Sequence, residues 1–201
     1  MDSQILKYIE ESTIVGIGTG KTINSLINSL PKDKTYVASS LETSRILVCN
    51  KYKTLNLSLC GSLDCYVDSA DFVDSNGNLL KGGGGAADQE KLMMKMSRKT
   101  YIIIDKKKRI DGFGECTCAF FVLPCAMTYF QNILSENGLS FSLRMCDKKI
   151  GPIFSDNGNL IFDVDFNYDF IQNSMNICGV IANGFFLENE YKYSIIERKN
   201  I

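Results

Sequence analysis

The chain has 201 residues, 45% of them hydrophobic and 22% charged, with a net charge of −1. That length supports one ordinary domain or two small ones with a sizeable core, and the near-neutral charge gives no global field for nucleic acid or an acidic membrane surface. There is no run of about 18 apolar residues and no basic-then-apolar leader, so a soluble, cytoplasmic protein with no membrane partner is expected.

Apolar Ile5, Leu6 and Ile9 predict a short amphipathic helix over 5–11. Residues 13–18 read as a strand running into glycine. Ile23, Leu26, Ile27 and Leu30 have helical spacing over 22–30, closed by Pro31. Strands are expected at 35–40, 55–59 and 65–67, with a helix at 42–51. A turn at 74–78 precedes Leu79-Leu80, and a helix opening near Asp88 continues to residue 96. Residues 100–105 form an apolar strand ending in Asp105. Strand and helix alternate, with Gly, Ser and Thr at the strand ends. This predicts a parallel α/β sheet whose ligands bind beyond the carboxyl ends of the strands.

The character changes near Gly114. Residues 120–124 are strand-like, 126–134 helical and 140–145 strand-like. A hairpin turn at 155–159 follows, and then a helix at 170–175. The order β-α-β-β-α predicts a small ferredoxin-like α+β unit. Residues 180–186 and 193–197 are expected to be closing strands that return to the first sheet. The expected domains are therefore 1–115, completed by 181–201, and 116–180.

Eight cysteines occur without a CxxC pair, and there is no histidine. No zinc site or other metal site is expected, and the cysteines read as small buried hydrophobes with free thiols. Acid–base chemistry must then fall to Asp, Glu, Lys, Tyr or Cys.

Gly16-Ile17-Gly18-Thr19-Gly20-Lys21-Thr22 joins a strand to a helix, where bare N–H groups and the helix N-terminus favour an anion. A nucleotide P-loop would need glycine where Val15 stands, and the dinucleotide pattern would need glycine where Lys21 stands. A phosphate loop of another kind is expected; a merely tight turn is the plainer alternative. Asp68 and Asp71 follow a strand, and two close carboxylates suit general acid–base work, a bound divalent cation or a solvated turn. Lys81 precedes Gly82, Gly83 and Gly84 and is placed to stabilise an oxyanion. Glu90, near the start of the next helix, is a candidate base or an ordinary first-turn charge. In 106–109, one cation is expected to reach a phosphate or the whole run to be solvated.

In this order and at these intervals, the Gly16–Thr22 loop, Ser39-Ser40, Asp68-Ser69-Ala70-Asp71, Lys81-Gly82-Gly83-Gly84, Glu90-Lys91 and Asp156-Asn157-Gly158-Asn159 resemble ribose-5-phosphate isomerase of the A type over nearly the whole chain. The resemblance implies a Rossmann-like α/β parallel-sheet domain with a smaller ferredoxin-like α+β domain, usually in homodimers. It implies interconversion of ribose 5-phosphate and ribulose 5-phosphate through a cis-enediolate in the non-oxidative pentose phosphate pathway, with no metal or organic cofactor. Glu90 matches the base that carries a proton between C2 and C1. Asp68 matches the acid that assists ring opening, Lys81 the cation on the enediolate oxygen and Asp71 the second pocket aspartate. Thr19, Gly20, Lys21, Thr22 and Lys108 match substrate and phosphate contacts, with Ser69, Ala70, Gly82, Gly83 and Gly84 completing the substrate-binding set.

The chain departs from the family pattern in carrying Lys21 for serine, Ser69 for glycine and Phe72 for an acid, and its opening helix starts late. Lys21 is expected to replace the missing phosphate-side charge. The alternatives are a non-catalytic sugar-phosphate-sensing domain and a P-loop-like nucleotide-binding protein, the latter suggested by Gly20-Lys21-Thr22 and the 101–105 strand. The absence of a basic arm or a DNA-binding helix-turn-helix leaves no nucleic-acid partner expected.

Overall fold

The structure, a computed structural model, describes residues 2–198. In chain order its elements begin with α1 (Asp2–Glu10), β1 (Ile14–Ile17), α2 (Lys21–Ile27), β2 (Thr35–Ala38), α3 (Leu41–Cys49), β3 (Lys53–Thr54) and β4 (Leu63–Ser69). Then come β5 (Phe72–Val73), β6 (Leu79–Leu80), α4 (Ala87–Met96), β7 (Ser97–Asp105), β8 (Thr117–Val122), α5 (Met127–Glu136) and β9 (Phe141–Leu143). The last are β10 (Leu160–Asp165), α6 (Tyr168–Asn173), β11 (Val180–Asn183), β12 (Phe185–Phe186) and β13 (Ser194–Arg198). Two compact units result, one comprising Met1–Ala70, Gln89–Arg109 and Leu187–Ile201, the other Asp71–Asp88 and Ile110–Phe186. Residues 71–88, 110–115 and 181–186 thus group with the second unit, where the expected division put them in the first. Among the described residues, no helix is long and apolar enough to cross a membrane.

The first unit is built on a six-stranded parallel sheet of order β13-β7-β4-β1-β2-β3. Its central strands read as near-continuous apolar runs because both faces are covered. Val15, Ile17, Val67 and Ile103 pack with Ile5 and Ile9 of α1 and with Ile23, Leu26 and Ile27 of α2. Fully burying each of these side chains contributes about 2 kcal/mol. Asp64 Oδ2 accepts from the N–H groups of Thr13 and Ile14, both at 3.0 Å. These bonds tie the starts of β1 and β4 together and hold the Asp64 carboxyl below the usual carboxylate range.

Two elements differ from expectation here. The strand expected at 55–59 does not form: β3 covers the preceding Lys53–Thr54, beside β2, and Leu55 adds one bond, its N–H donating to Tyr36 O at 2.8 Å. Asn56 Oδ1 accepts from Ser58 N and Ser58 Oγ at 2.9 and 2.8 Å, and this tightens 57–59 into a 3₁₀ turn. The helix expected to reach residue 30 stops at Ile27, yet Leu30 stays buried through a following turn in which its N–H donates to Ile27 O at 3.2 Å.

The second unit carries a four-stranded antiparallel sheet of order β11-β8-β10-β9. With α5 and α6 it follows the β-α-β-β-α-β path of a ferredoxin-like unit. Its core is aromatic: the Phe130 ring lies 5.6 Å from Phe120 and 5.3 Å from Phe162. A three-stranded sheet, β12-β6-β5, pairs Phe185 with Leu80 and Phe72 with Leu80. The expectation that 180–186 returns to the parallel sheet is therefore corrected. β11 joins β8 and β12 joins β6, and only β13 returns, to β7. The physical reason is the burial pattern of β11: Ile181 is 44% exposed between buried neighbours, which suits a sheet with one open face rather than a doubly covered one.

All eight cysteines are free. Cys60, Cys65 and Cys118 are buried as expected. Cys49, Cys125 and Cys178 are exposed, Cys178 because it falls in the turn before β11.

The 155–159 turn is held by one carboxylate. Asp88 Oδ2 accepts from Ser155 Oγ at 3.1 Å and from Asn157 Nδ2 and Asn159 Nδ2 at 3.0 Å. Ser155 and Asn159 are buried. Leaving a buried donor without its acceptor costs roughly 1–3 kcal/mol. Asp88→Ala is therefore expected to destabilise the protein by about 3 kcal/mol, read as a lower urea midpoint at unchanged slope. An unchanged midpoint would show that the turn does not depend on this carboxylate.

Candidate active site

In the first unit the site begins where β1 turns into α2. An ideal Cβ on Gly18 would stand 1.9 Å from Asp68 Oδ1, so the missing side chain is what lets the carboxylate lie against the loop. Gly20 has a φ of 116°, a region that favours glycine, and it opens α2. The N–H of Gly18 donates to Val67 O at 2.8 Å and that of Thr19 to Asp68 Oδ1 at 3.3 Å. Thr19 Oγ1 donates to Ser40 Oγ at 2.7 Å and lies 2.8 Å from Ser39 Oγ. Thr43 Oγ1 donates to Gly18 O at 2.9 Å. A knot of hydroxyls from the β2–α3 corner thus fixes the loop from below. Lys21 is exposed and, with Thr22, forms the first turn of α2, whose opening N–H groups lie outside the helix's own hydrogen bonding.

Tyr66 and Asp68 are two apart on β4 and so share a face. Both are completely buried, and Glu90, on α4, is 4% exposed. Asp68 Oδ1 accepts from Ser69 N at 2.7 Å, and Asp68 Oδ2 accepts from the Tyr66 hydroxyl at 2.5 Å. Burial first, and then the charges of Asp68 and Glu90, push the Tyr66 phenol well above its usual range. The phenol therefore stays protonated and remains a donor. Gly16 permits close packing of α4: a Cβ there would stand 2.8 Å from Tyr66 and 2.9 Å from Met93, one turn after Glu90.

The basic run 106–109 is divided in its use. Lys106 and Lys107 are exposed, and Arg109 Nε donates to Glu197 Oε2 at 2.9 Å. Lys108 alone of the run turns inward, where its Nζ donates to Ala70 O. It therefore sits at the end of the Asp68-Ser69-Ala70 segment.

The second unit holds Asp71, Lys81 and the glycine run. Asp71 N donates to Leu80 O at 2.9 Å, and Asp71 Oδ2 accepts from Gly83 N at 2.9 Å. Lys81 is 5% exposed, with Nζ 5.9 Å from the Phe186 ring centroid. Its N–H donates to Gly184 O at 2.8 Å. Gly83 and Gly84 are exposed, while Gly82 is buried with a φ of 109° and room for no Cβ, which would lie 2.8 Å from that of Ala119. Phe72, in place of an acid, is paired with Leu80 in register and is 36% exposed.

Among the expected residues, Thr19, Gly20, Asp68, Ser69, Glu90, Ala70 and Lys108 are thus linked within the first unit, and Asp71, Lys81, Gly82 and Gly83 within the second. The N–H of Thr19 serves Asp68 and its hydroxyl belongs to the hydroxyl knot. Two residues escaped the sequence reading. Tyr66 was legible from the Tyr-x-Asp alternation on one strand face; Thr43 left no signal beyond a hydroxyl three residues after a helix cap.

A family model described as ribose 5-phosphate isomerase A (phosphoriboisomerase A) matches residues 35–200. Ribose-5-phosphate isomerase A of Methanococcus aeolicus is 36% identical over 197 residues, covering 92% of this chain and 84% of that protein. The same-named protein of Treponema denticola is 33% identical over 205 residues, covering 92% and 85%. The structure of ribose 5-phosphate isomerase A from Methanocaldococcus jannaschii superposes with a TM-score of 0.85 at 26% identity, covering 98% of this chain and 91% of that one. A D-ribose-5-phosphate isomerase solved in complex with phospho-erythronic acid gives the same TM-score of 0.85 at 28% identity, covering 98% and 92%.

Proposed function

Because the chain belongs to the ribose 5-phosphate isomerase A family, we propose that it interconverts ribose 5-phosphate and ribulose 5-phosphate, a step of the non-oxidative pentose phosphate pathway. The observation that carries this reading is the pair of buried carboxylates around one phenol: Asp68 is 0% and Glu90 4% exposed, and both charges act on Tyr66. An aldose–ketose isomerisation needs a base for a carbon-bound proton, a positive charge for the resulting oxyanion and an anchor for the phosphate.

In this reading the Glu90 carboxylate removes the C2 proton of the open-chain aldose. The electron pair forms the C1–C2 double bond of a cis-enediolate, and negative charge moves onto the carbonyl oxygen. The Lys81 ammonium offsets that charge, so the chemistry calls on no metal. Glu90 returns its proton to C1 while O1 gains a proton and O2 loses one, which leaves the ketose. Asp68 assists ring opening and exchanges the oxygen-bound protons, its carboxylate held by Thr19 N, Ser69 N and the Tyr66 hydroxyl. Asp71 is the second aspartate for the substrate hydroxyls. Gly20, Lys21, Thr22 and Lys108 take the phosphate. A homodimer and a cytoplasmic location belong to the same reading; eight free thiols suit a reducing compartment.

The test is formation of ribulose 5-phosphate from ribose 5-phosphate, with unphosphorylated ribose as a much poorer substrate. Binding of ribose 5-phosphate without product would replace the enzyme by a sugar-phosphate sensor. Lys21 gives a separate prediction. It is exposed at the opening of α2, where an ion pair with phosphate is worth ~1 kcal/mol in solvent. Lys21→Ser is therefore expected to raise KM about fivefold at little cost to kcat. An unchanged KM would remove Lys21 from the phosphate site.

A further inference from the structure

Gly82 and Gly85 have φ of 109° and 73°, and a glycine run has the least conformational restraint of its own. Lys81, at its head, can serve as a fixed positive charge only if something outside the run holds it. On one side, Lys81 N donates to Gly184 O at 2.8 Å. Gly184 is itself irreplaceable there, since a Cβ would stand 2.1 Å from Lys81 O. On another side, Gly83 N donates to Asp71 Oδ2 at 2.9 Å.

The carbonyls are held by a residue that the reaction does not use. Arg144 Nη1 donates to Gly82 O at 2.8 Å and lies 3.4 Å from Gly83 O. Its other nitrogens are taken by one carboxylate: Nε donates to Asp163 Oδ2 at 2.7 Å and Nη2 to Asp163 Oδ1 at 2.6 Å. Both side chains are about four-fifths buried, with 21% and 22% exposed. Arg144 follows β9, and its N–H donates to Ile161 O at 2.9 Å while its C=O accepts from Ile153 N at 2.8 Å. Asp163 lies in mid-β10, registered with Ala119 and Ser142.

A bare ion pair of this kind would be worth little. Here the bidentate fork fixes the plane of the guanidinium and leaves the third nitrogen aimed at the glycine carbonyls. We infer that Arg144, held rigid by Asp163, is a positioning residue for Lys81: it clamps the Gly82 and Gly83 carbonyls onto the antiparallel sheet and so fixes where the Lys81 ammonium stands when the enediolate forms. The inference rests on the isomerase reading and adds to it a residue that never meets the substrate.

The test is steady-state kinetics with ribose 5-phosphate on the full chain, with and without millimolar guanidinium. Misplacement of a reacting group by about 1 Å costs on the order of 10²-fold. Arg144→Ala is therefore expected to lose about 10- to 100-fold in kcat, with a smaller rise in KM, and free guanidinium is expected to restore much of the loss. Arg144→Lys keeps the charge but not the fork, and should remain defective. Should Arg144→Ala fail to fold, Asp163→Asn carries the test, with an expected kcat loss of several-fold. Unchanged kcat in the folded alanine variant, or in Asp163→Asn, overturns the inference. So does a kcat loss that guanidinium leaves untouched. Absence of turnover in the unaltered protein overturns the isomerase reading and this inference together, whereas normal turnover by Arg144→Ala removes this one alone.

Discussion

Glu90→Gln is expected to lower kcat on the order of 10³-fold, the middle of the range for a lost general base, while the affinity for ribose 5-phosphate stays nearly constant. Glutamine has the same shape and nearly the same helix propensity, so α4 should keep its place. What disappears is basicity: an amide cannot accept the C2 proton. Glu90 is 4% exposed, so water has no easy route to act in its stead. Calorimetric titration beside a product assay separates the two effects. Equal losses of kcat and affinity would mean that Glu90 positions substrate rather than taking its proton.

The same variant has a second consequence with a definite sign. The Tyr66 phenol is raised by burial, by Asp68 and by Glu90, in that order. A phenol raised in the folded state contributes stability that is present below the unfolded value, about 10, and is lost as pH rises above it. Removing the Glu90 charge narrows that window, so Glu90→Gln should unfold at a higher alkaline pH than the parent.

Lys81→Met is expected to cost about 10²-fold in kcat, the scale of one lost oxyanion-stabilising group. Methionine keeps an unbranched apolar stem beside Phe186, 5.9 Å from the ammonium, and loses the charge and its donors. Lys81 is 5% exposed, so its ammonium would act on the oxyanion with little screening by water. The backbone bond to Gly184 survives the change. A Met variant with full kcat would reduce Lys81 to a structural residue and leave the oxyanion without its cation.

The candidate site residues were legible as candidates because the proposed chemistry calls for particular residue types in particular places. Asp68 lies near the end of a strand, Lys81 precedes glycines and Glu90 stands near a helix start. The parallel sheet was legible for a similar reason, since strands covered on both faces need apolar runs such as 101–104. Partner choice was hidden wherever a run could satisfy more than one sheet. Val180–Asn183 reads as a strand in any register, and its pairing with β8 depends on which face Ile181 leaves open. Residues 55–59 misled because Leu55, Leu57 and Leu59 alternate like a strand, while the Asn56 side chain offers the backbone a competing turn. Arg144 carried no sequence signal. Its partners, Gly82 and Asp163, lie 62 and 19 residues away, and only the folded second unit brings them together.

In the proposed reaction Glu90 and Lys81 supply the chemistry without a metal ion. Turnover of ribose 5-phosphate by the unaltered protein, followed as ribulose 5-phosphate in the presence and absence of EDTA, tests it most directly. Product is expected at the same rate in both. Loss of the rate on chelation, or no ribulose 5-phosphate in either, would contradict it.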